Sequence, residues 1–180
     1  MKREELAHIV RSASRIVDER RVLIVGSQSI LGSFDENELP HEVTMSREAD
    51  LAFWDDLDEV KADRVDGAIG EGSQFDLTNG YYGQGVSIST AILPTGWEGR
   101  TVEFGSLSTE PGVAVCLDPH DLVLSKLVAF REKDYVFAWA LLAAGMVDVN
   151  VLLELVDEMP VDGLRRRRMR SWLESRKKRL

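Results

Sequence analysis

The sequence predicts an α/β (α+β) fold, a mixed β-sheet flanked by helices and followed by a helical C-terminal part. Three observations predict it. Apolar residues at helical spacing open the chain, short β-branched runs recur up to residue 117, and the periodic segments beyond Asp118 are helical. The length of 180 residues is that of one domain, with residues 1–117 as a sheet-containing core and 118–180 as a helical part.

Each element has its own signal. Leu6, Ile9, Val10, Ala13, Ile16 and Val17 recur at helical spacing between Glu4 and Asp18. Arg21–Val25 is a β-branched run that stops at Gly26-Ser27, and Ser27 can cap a short helix beginning at Gln28. Residues 32–42 hold Gly, Asn, Pro and four acids, which reads as an exposed loop. Ala49–Trp54 reads as the second strand, and Asp56 or Asp58 can cap a helix running to Ala68. Gly67–Gly85 is rich in turn residues and gives no clear element. Val86–Leu93 and Thr101–Phe104 read as strands about a Pro94-Thr95-Gly96 turn, with Val113–Leu117 as a fifth.

Asp118-Pro119-His120-Asp121 is a helix start, with the cap, the first-turn proline and the first-turn acid in order. That helix is expected to break near Phe130–Lys133 and to resume up to Gly145. Val149–Glu158 and Leu164–Arg176 complete the set, separated by Pro160.

Composition narrows the class. The chain is 44% hydrophobic and 29% charged, as a globular protein is. Cys116 is the single cysteine, so no internal disulfide can form, and no apolar run is long enough to span a bilayer. A cytoplasmic protein with no membrane partner is the expectation. The net charge of −9 is unevenly spread: Val161–Leu180 carries +7, leaving −16 on the first 160 residues. The Arg165–Arg170 and Arg176–Arg179 blocks either attract phosphate backbones or form a solvated helix face offsetting the acidic body. Leu164, Trp172 and Leu173 on the same helix favour packing.

The chemistry-bearing residues are carboxylates. Glu48 and Asp50, at i and i+2 on a strand, face the same side and can reach one Mg²⁺ or Mn²⁺ ion. A third metal carboxylate from a neighbouring strand would complete the shell, and Glu103 is the best placed. Gly26 lets the backbone approach a phosphate, and Ser27 supplies a hydroxyl and N–H groups at a helix start. Taken alone these signals are weak, because 31 acidic residues in 180 produce roughly five acidic-x-acidic pairs by chance. Ordinary strand-end charge is the competing explanation, and Glu36-x-Glu38 and Asp56-x-Asp58 are rival pairs. Arg100 either sits beside Glu103 at the site mouth or belongs to a structural turn over Trp97. The three histidines show no zinc spacing, and Cys116 reads as a buried strand residue.

Order along the chain adds meaning. Val25-Gly26-Ser27-Gln28-Ser29 followed by Ser46–Leu51 resembles the glycine-serine and Thr-Lys-Asp-Ile-Asp-Leu signature of nucleotidyltransferase-fold proteins. Asp121–Ala129 and Arg131-Glu132-Lys133-Asp134 are similar to the Ser-Lys-Leu-x-Ala and Arg-x-Lys-Asp helices of AbiEii-type abortive-infection toxins. An uncharacterised bacterial nucleotidyltransferase-like family with the same motifs looks closer still.

The resemblance spans Arg20–Glu158 and implies a minimal nucleotidyltransferase fold that takes an NTP with Mg²⁺. It implies that Lys126 contacts the triphosphate and that Asp134 supports the site. Without it, Lys126 is a snorkelling lysine and Asp134 a surface ion-pair charge. Two positions depart from the pattern: Glu48 stands where the superfamily usually has Asp, and Phe137 where a second acid often follows. The implied activity is transfer of a nucleotidyl group to a hydroxyl of RNA (tRNA included), protein or a small molecule, in a toxin–antitoxin or phage-defence setting. The basic C-terminal helix inclines the acceptor toward RNA. The departures favour the alternative, an inactive binding module with a protein partner.

Overall fold

The computed structural model describes all residues, 1–180. Helix α1 (Arg3–Val17) buries Leu6, Ile9, Val10, Ala13 and Val17, the stripe its spacing predicts. Five strands follow: β1 (Arg21–Ile24), β2 (Glu48–Ala52), β3 (Tyr82–Gly85), β4 (Val102–Phe104) and β5 (Val113–Cys116). They form one sheet in the order β3-β2-β1-β5-β4. β1 runs antiparallel to β2 and parallel to β5, β2 is parallel to β3, and β4 is antiparallel to β5. The sheet is mixed, as expected.

Between β1 and β2 lie a 3₁₀ turn (Ser27–Gly32) and a single helical turn, α2 (His41–Thr44). α3 (Val60–Ile69) and α4 (Gln74–Asn79) precede β3. Asp56 accepts hydrogen bonds from the Lys61 and Ala62 N–H groups at 2.8 Å each, so it does serve the start of α3. The second half is helical: α5 (Pro119–Ala129), α6 (Glu132–Ala143), α7 (Val149–Leu155) and α8 (Gly163–Lys177). Phe130, with φ of 54°, and extended Arg131 make the α5–α6 break at the expected place.

Two assignments change. The glycine-rich stretch before Val86 contains β3, which turn chemistry alone hides. Its glycines answer to packing: a Cβ on Gly85 would lie 1.9 Å from the Ala62 carbonyl oxygen, so α3 crosses directly over the strand. Val86–Leu93, predicted as a strand, is not one. Val86 N–H donates to Leu51 O at 2.8 Å, and the chain then leaves the sheet edge through a 3₁₀ turn at Ile88–Thr90. The Ser87 and Ser89 hydroxyls bond each other there at 3.0 Å, and no further strand lies beyond β3 to pair with the segment.

The two faces of β2 separate core from cleft. Ala49 and Leu51 are buried, and Leu51 packs with Ile9 and Ile69 around Gly83, on the α1–α3 side. Glu48 and Asp50 point the other way and are half-buried, as period-two alternation requires. The core extends into the helical half through Leu122, Leu124, Leu127, Leu141 and Leu152.

Much of the charge on α8 is engaged within the fold. Arg166 donates to Met159 O at 2.9 Å, and Arg170 to Leu153 O and Asp157. The Arg176 guanidinium lies 5.3 Å and 5.2 Å from the Trp139 and Trp172 ring centroids, and Arg168 lies 4.1 Å from that of Phe130. These contacts favour the packing reading of the basic block, with Arg167, Lys178 and Arg179 left without a side-chain partner.

Arg100 and Asp121 lock the loop before β4 onto the start of α5. Arg100 donates in a fork to Asp121, Nε to Oδ2 at 2.9 Å and one terminal nitrogen to Oδ1 at 3.0 Å. Asp121 is fully buried, so losing its partner strands a charge. Arg100→Ala is expected to destabilise the protein by about 3 kcal/mol, a fall in Tm of roughly 6–12 °C by calorimetry. An Arg100→Leu/Asp121→Leu double variant should recover much of that loss, since neither charge then remains buried.

Candidate functional site

A cleft of about 500 Å³ opens on the polar face of β2. It is lined from one side by Ser27, Glu48 and Asp50, and from the other by Lys126, Arg131, Lys133, Asp134 and Phe137. Glu42, Val43, Met45 and Ser46 form its third wall, from α2 and the loop that leads into β2.

Asp50 is held against the turn that ends β1. Val25 N–H donates to Asp50 O at 3.1 Å, which brings Gly26 alongside the carboxylate. A Cβ on Gly26 would lie 1.5 Å from Asp50 Oδ2. Glycine is therefore required here because the carboxylate occupies the space of a side chain, and not because of an unusual φ, which is −93°. Gln28, fully buried, donates to Ser46 O at 3.2 Å and ties the same turn to the third wall.

Glu48 shares the face with Asp50. Burial first, then the charge of Asp50 and a hydrogen bond with it, push the Glu48 carboxyl above the usual carboxylate range. The Tyr82 hydroxyl and Lys133 pull it back. Tyr82 donates to Glu48 Oε2 at 3.3 Å, and burial followed by the charge of Glu48 raises the phenol to about 12. Tyr82 stays a neutral donor throughout the physiological range.

Across the cleft the charge is positive. Lys126 projects from α5, and burial lowers its pKa against the pull of Asp134 and Asp50. Its ammonium lies 5.8 Å from the centroid of Phe137, so the aromatic ring at that departing position shields the lysine. Asp134 is buried and takes a fork from Arg131, Nε to Oδ2 at 2.6 Å and a terminal nitrogen to Oδ1 at 3.2 Å. Both of its oxygens are thus already bonded to a cation.

Five of the residues singled out from sequence, Ser27, Glu48, Asp50, Lys126 and Asp134, line this one cleft, and Gly26 underlies it. Glu103 does not join them. Its strand β4 is at the sheet edge with β5 and β1 between it and β2, roughly 14 Å away at ordinary strand spacing. There Glu103 is exposed and ion-paired with Arg21. Arg100 is likewise elsewhere, on Asp121. The choice of Glu103 assumed that β4 neighbours β2; the neighbours are β1 and β3, and Tyr82 of β3 stands opposite Glu48. No group of three His, Cys, Asp or Glu side chains converges to hold a metal ion. Glu42, Met45, Ser46 and Tyr82 were not singled out from sequence, and only the α2 loop and β3 bring them here.

The residues present still fit a divalent cation that arrives with a nucleotide. Mg²⁺ is commonly bound by one or two carboxylates, with phosphate oxygens and water filling its other positions. Glu48 and Asp50 stand two residues apart on one face of β2 and line the same cleft, so one cation can reach both, and Lys126 and Lys133 line the cleft with them.

The mixed sheet, its flanking helices and the helical C-terminal part define an α/β protein of nucleotidyltransferase type. A family model described as a nucleotidyltransferase of unknown function (DUF6036) matches residues 4–179, and the chain belongs to that family. Neither the curated proteins nor the solved structures yield a match. No helix is long and apolar enough to cross a membrane.

Gly26→Ala tests how tightly the turn and Asp50 are fitted. The added methyl must displace the Asp50 carboxylate, so a loss of about 1–3 kcal/mol is expected in chemical denaturation.

Proposed function

We propose that the protein binds an NTP with Mg²⁺ or Mn²⁺ in the β2–α5–α6 cleft and transfers its nucleotidyl group to an acceptor hydroxyl. The observation that carries this is the opposition of charges: Glu48 and Asp50 on one wall, Lys126 and Lys133 on the other, with Gly26 and Ser27 beneath. A triphosphate with its cation complements both walls at once.

In this reading Glu48 and Asp50 hold the cation, which when bound neutralises phosphate charge and acidifies the attacking hydroxyl. Lys126 and Lys133 grip phosphate oxygens, and Arg131 keeps Asp134 in place beside them. The acceptor oxygen attacks the α-phosphorus, the bond between α-phosphorus and bridging oxygen breaks, and pyrophosphate leaves. Asp50, beside the turn, is placed to take the hydroxyl proton. Incubation with each labelled NTP and total RNA and protein should give label transfer by the wild type. Asp50→Asn should abolish it at unchanged Tm. Magnesium-independent or absent NTP binding by the wild type would sink the reading.

The acceptor that the charge distribution supports is RNA, reached through the exposed cations of α8. Arg168 on Phe130 adjoins Arg131 at the cleft, and Arg167, Lys178 and Arg179 are further exposed cations on and just after α8. Replacing those last three with Gln should weaken RNA binding and flatten the slope of log K against log salt by about 2. NTP binding should be unaffected.

A second reading, a nucleotide-binding module without turnover, is favoured by the absence of a third converging carboxylate and by the full engagement of Asp134 with Arg131. NTP binding without label transfer would establish it.

A further inference from the structure

Glu48 is the less constrained member of the carboxylate pair. Asp50 is short and wedged against Gly26, whereas Glu48 has one more methylene and stands at the first residue of β2. A carboxylate with that freedom loses conformational entropy each time it binds a cation. The Tyr82 hydroxyl donates to Glu48 Oε2 at 3.3 Å. The parallel register sets Tyr82 directly beside Glu48, one strand over.

Tyr82 is itself braced. Its ring is buried, and the Arg47 guanidinium lies 5.9 Å from its centroid. Arg47 is held by Asp76 at 3.1 Å, and the other Asp76 oxygen accepts the Gly72 N–H at 3.0 Å. Asp76 lies on α4, whose own first turn is capped by Ser73. A continuous run of contacts therefore leads from α4 through Asp76, Arg47 and Tyr82 to the carboxylate of Glu48. None of these three residues, of which Tyr82 alone touches the Glu48 carboxylate, lines the cleft.

We propose that Tyr82 is a positioning residue that aims the Glu48 carboxylate at the cation shared with Asp50, so that a glutamate serves at a position where free rotation would otherwise disperse it. The proposal rests on the reading of Glu48 and Asp50 as cation ligands. Groups that orient metal-binding carboxylates characteristically change affinity by tenfold or more when removed.

The test is a double-mutant cycle read by Mn²⁺ binding, with free Mn²⁺ followed by electron paramagnetic resonance and no nucleotide present. Tyr82→Phe keeps the ring and loses only the hydroxyl, so it should fold with the Tm of the wild type and bind Mn²⁺ about tenfold more weakly. Glu48→Asp withdraws the carboxylate from Tyr82 and should also weaken binding. The double variant should be no weaker than Glu48→Asp alone, because the hydroxyl then has nothing to orient. Asp76→Asn, which loosens Arg47, should give a smaller loss in the same direction. Wild-type affinity in Tyr82→Phe, or full additivity with Glu48→Asp, would overturn the positioning role while leaving the metal site standing. An absence of Mn²⁺ binding in the wild type would overturn both, which separates the two failures.

Discussion

The repulsion between two half-buried carboxylates, Glu48 and Asp50, is the constraint around which the cleft is organised. Burial, and then the like charge of Asp50 on the same strand face, raise the cost of ionising Glu48. The surroundings offset that cost in three ways. Tyr82 donates to Glu48, Lys133 and the half-buried Lys126 supply positive charge, and a bare glycine lets Asp50 lie against the backbone turn. A divalent cation would relieve the same repulsion directly. The electrostatic tension and the function proposed for the site are thus two aspects of one arrangement.

The opposite wall shows the same logic with signs reversed. Lys126 is desolvated, which disfavours its charge, and Asp134 and Asp50 counter this. Asp134 in turn is neutralised by the fork from Arg131, a residue on the helix break itself. That break, with Phe130 in the left-handed region, turns α6 back so that Lys133, Asp134 and Phe137 face Lys126. A straight α5–α6 helix would carry Lys133 and Lys126 on one face but could not fold them around a cavity.

Several of these features were legible in the residues. The α1 stripe, the Gly-Ser stop after β1, the Asp118-Pro119 start and the α5–α6 break each depend on local chemistry, and each stands within a residue or two of its expected place. Period-two alternation was enough to put Glu48 and Asp50 on one face. By contrast β3 was invisible because Gly83 and Gly85 carry a turn signal locally, while their purpose is the close approach of side chains and of α3. Val86–Leu93 misled in the opposite sense: its β-branched content suits a strand, yet beyond β3 there is no partner to pair with.

The sequence by itself determined the mixed α/β character, the carboxylate pair and the glycine beneath it, because helix caps, turns and residue alternation are encoded within a few positions, whereas Lys126 was marked by the family resemblance alone. Strand order was decided only in the tertiary structure. It set Glu103 at the far edge against Arg21 and put Tyr82, 34 residues along the chain, beside Glu48. It also drew much of the charge on α8 into packing on aromatic rings and carbonyls. Those outcomes follow from which strands and helices become neighbours, and that depends on how the whole chain buries its apolar faces at once rather than on any local pattern.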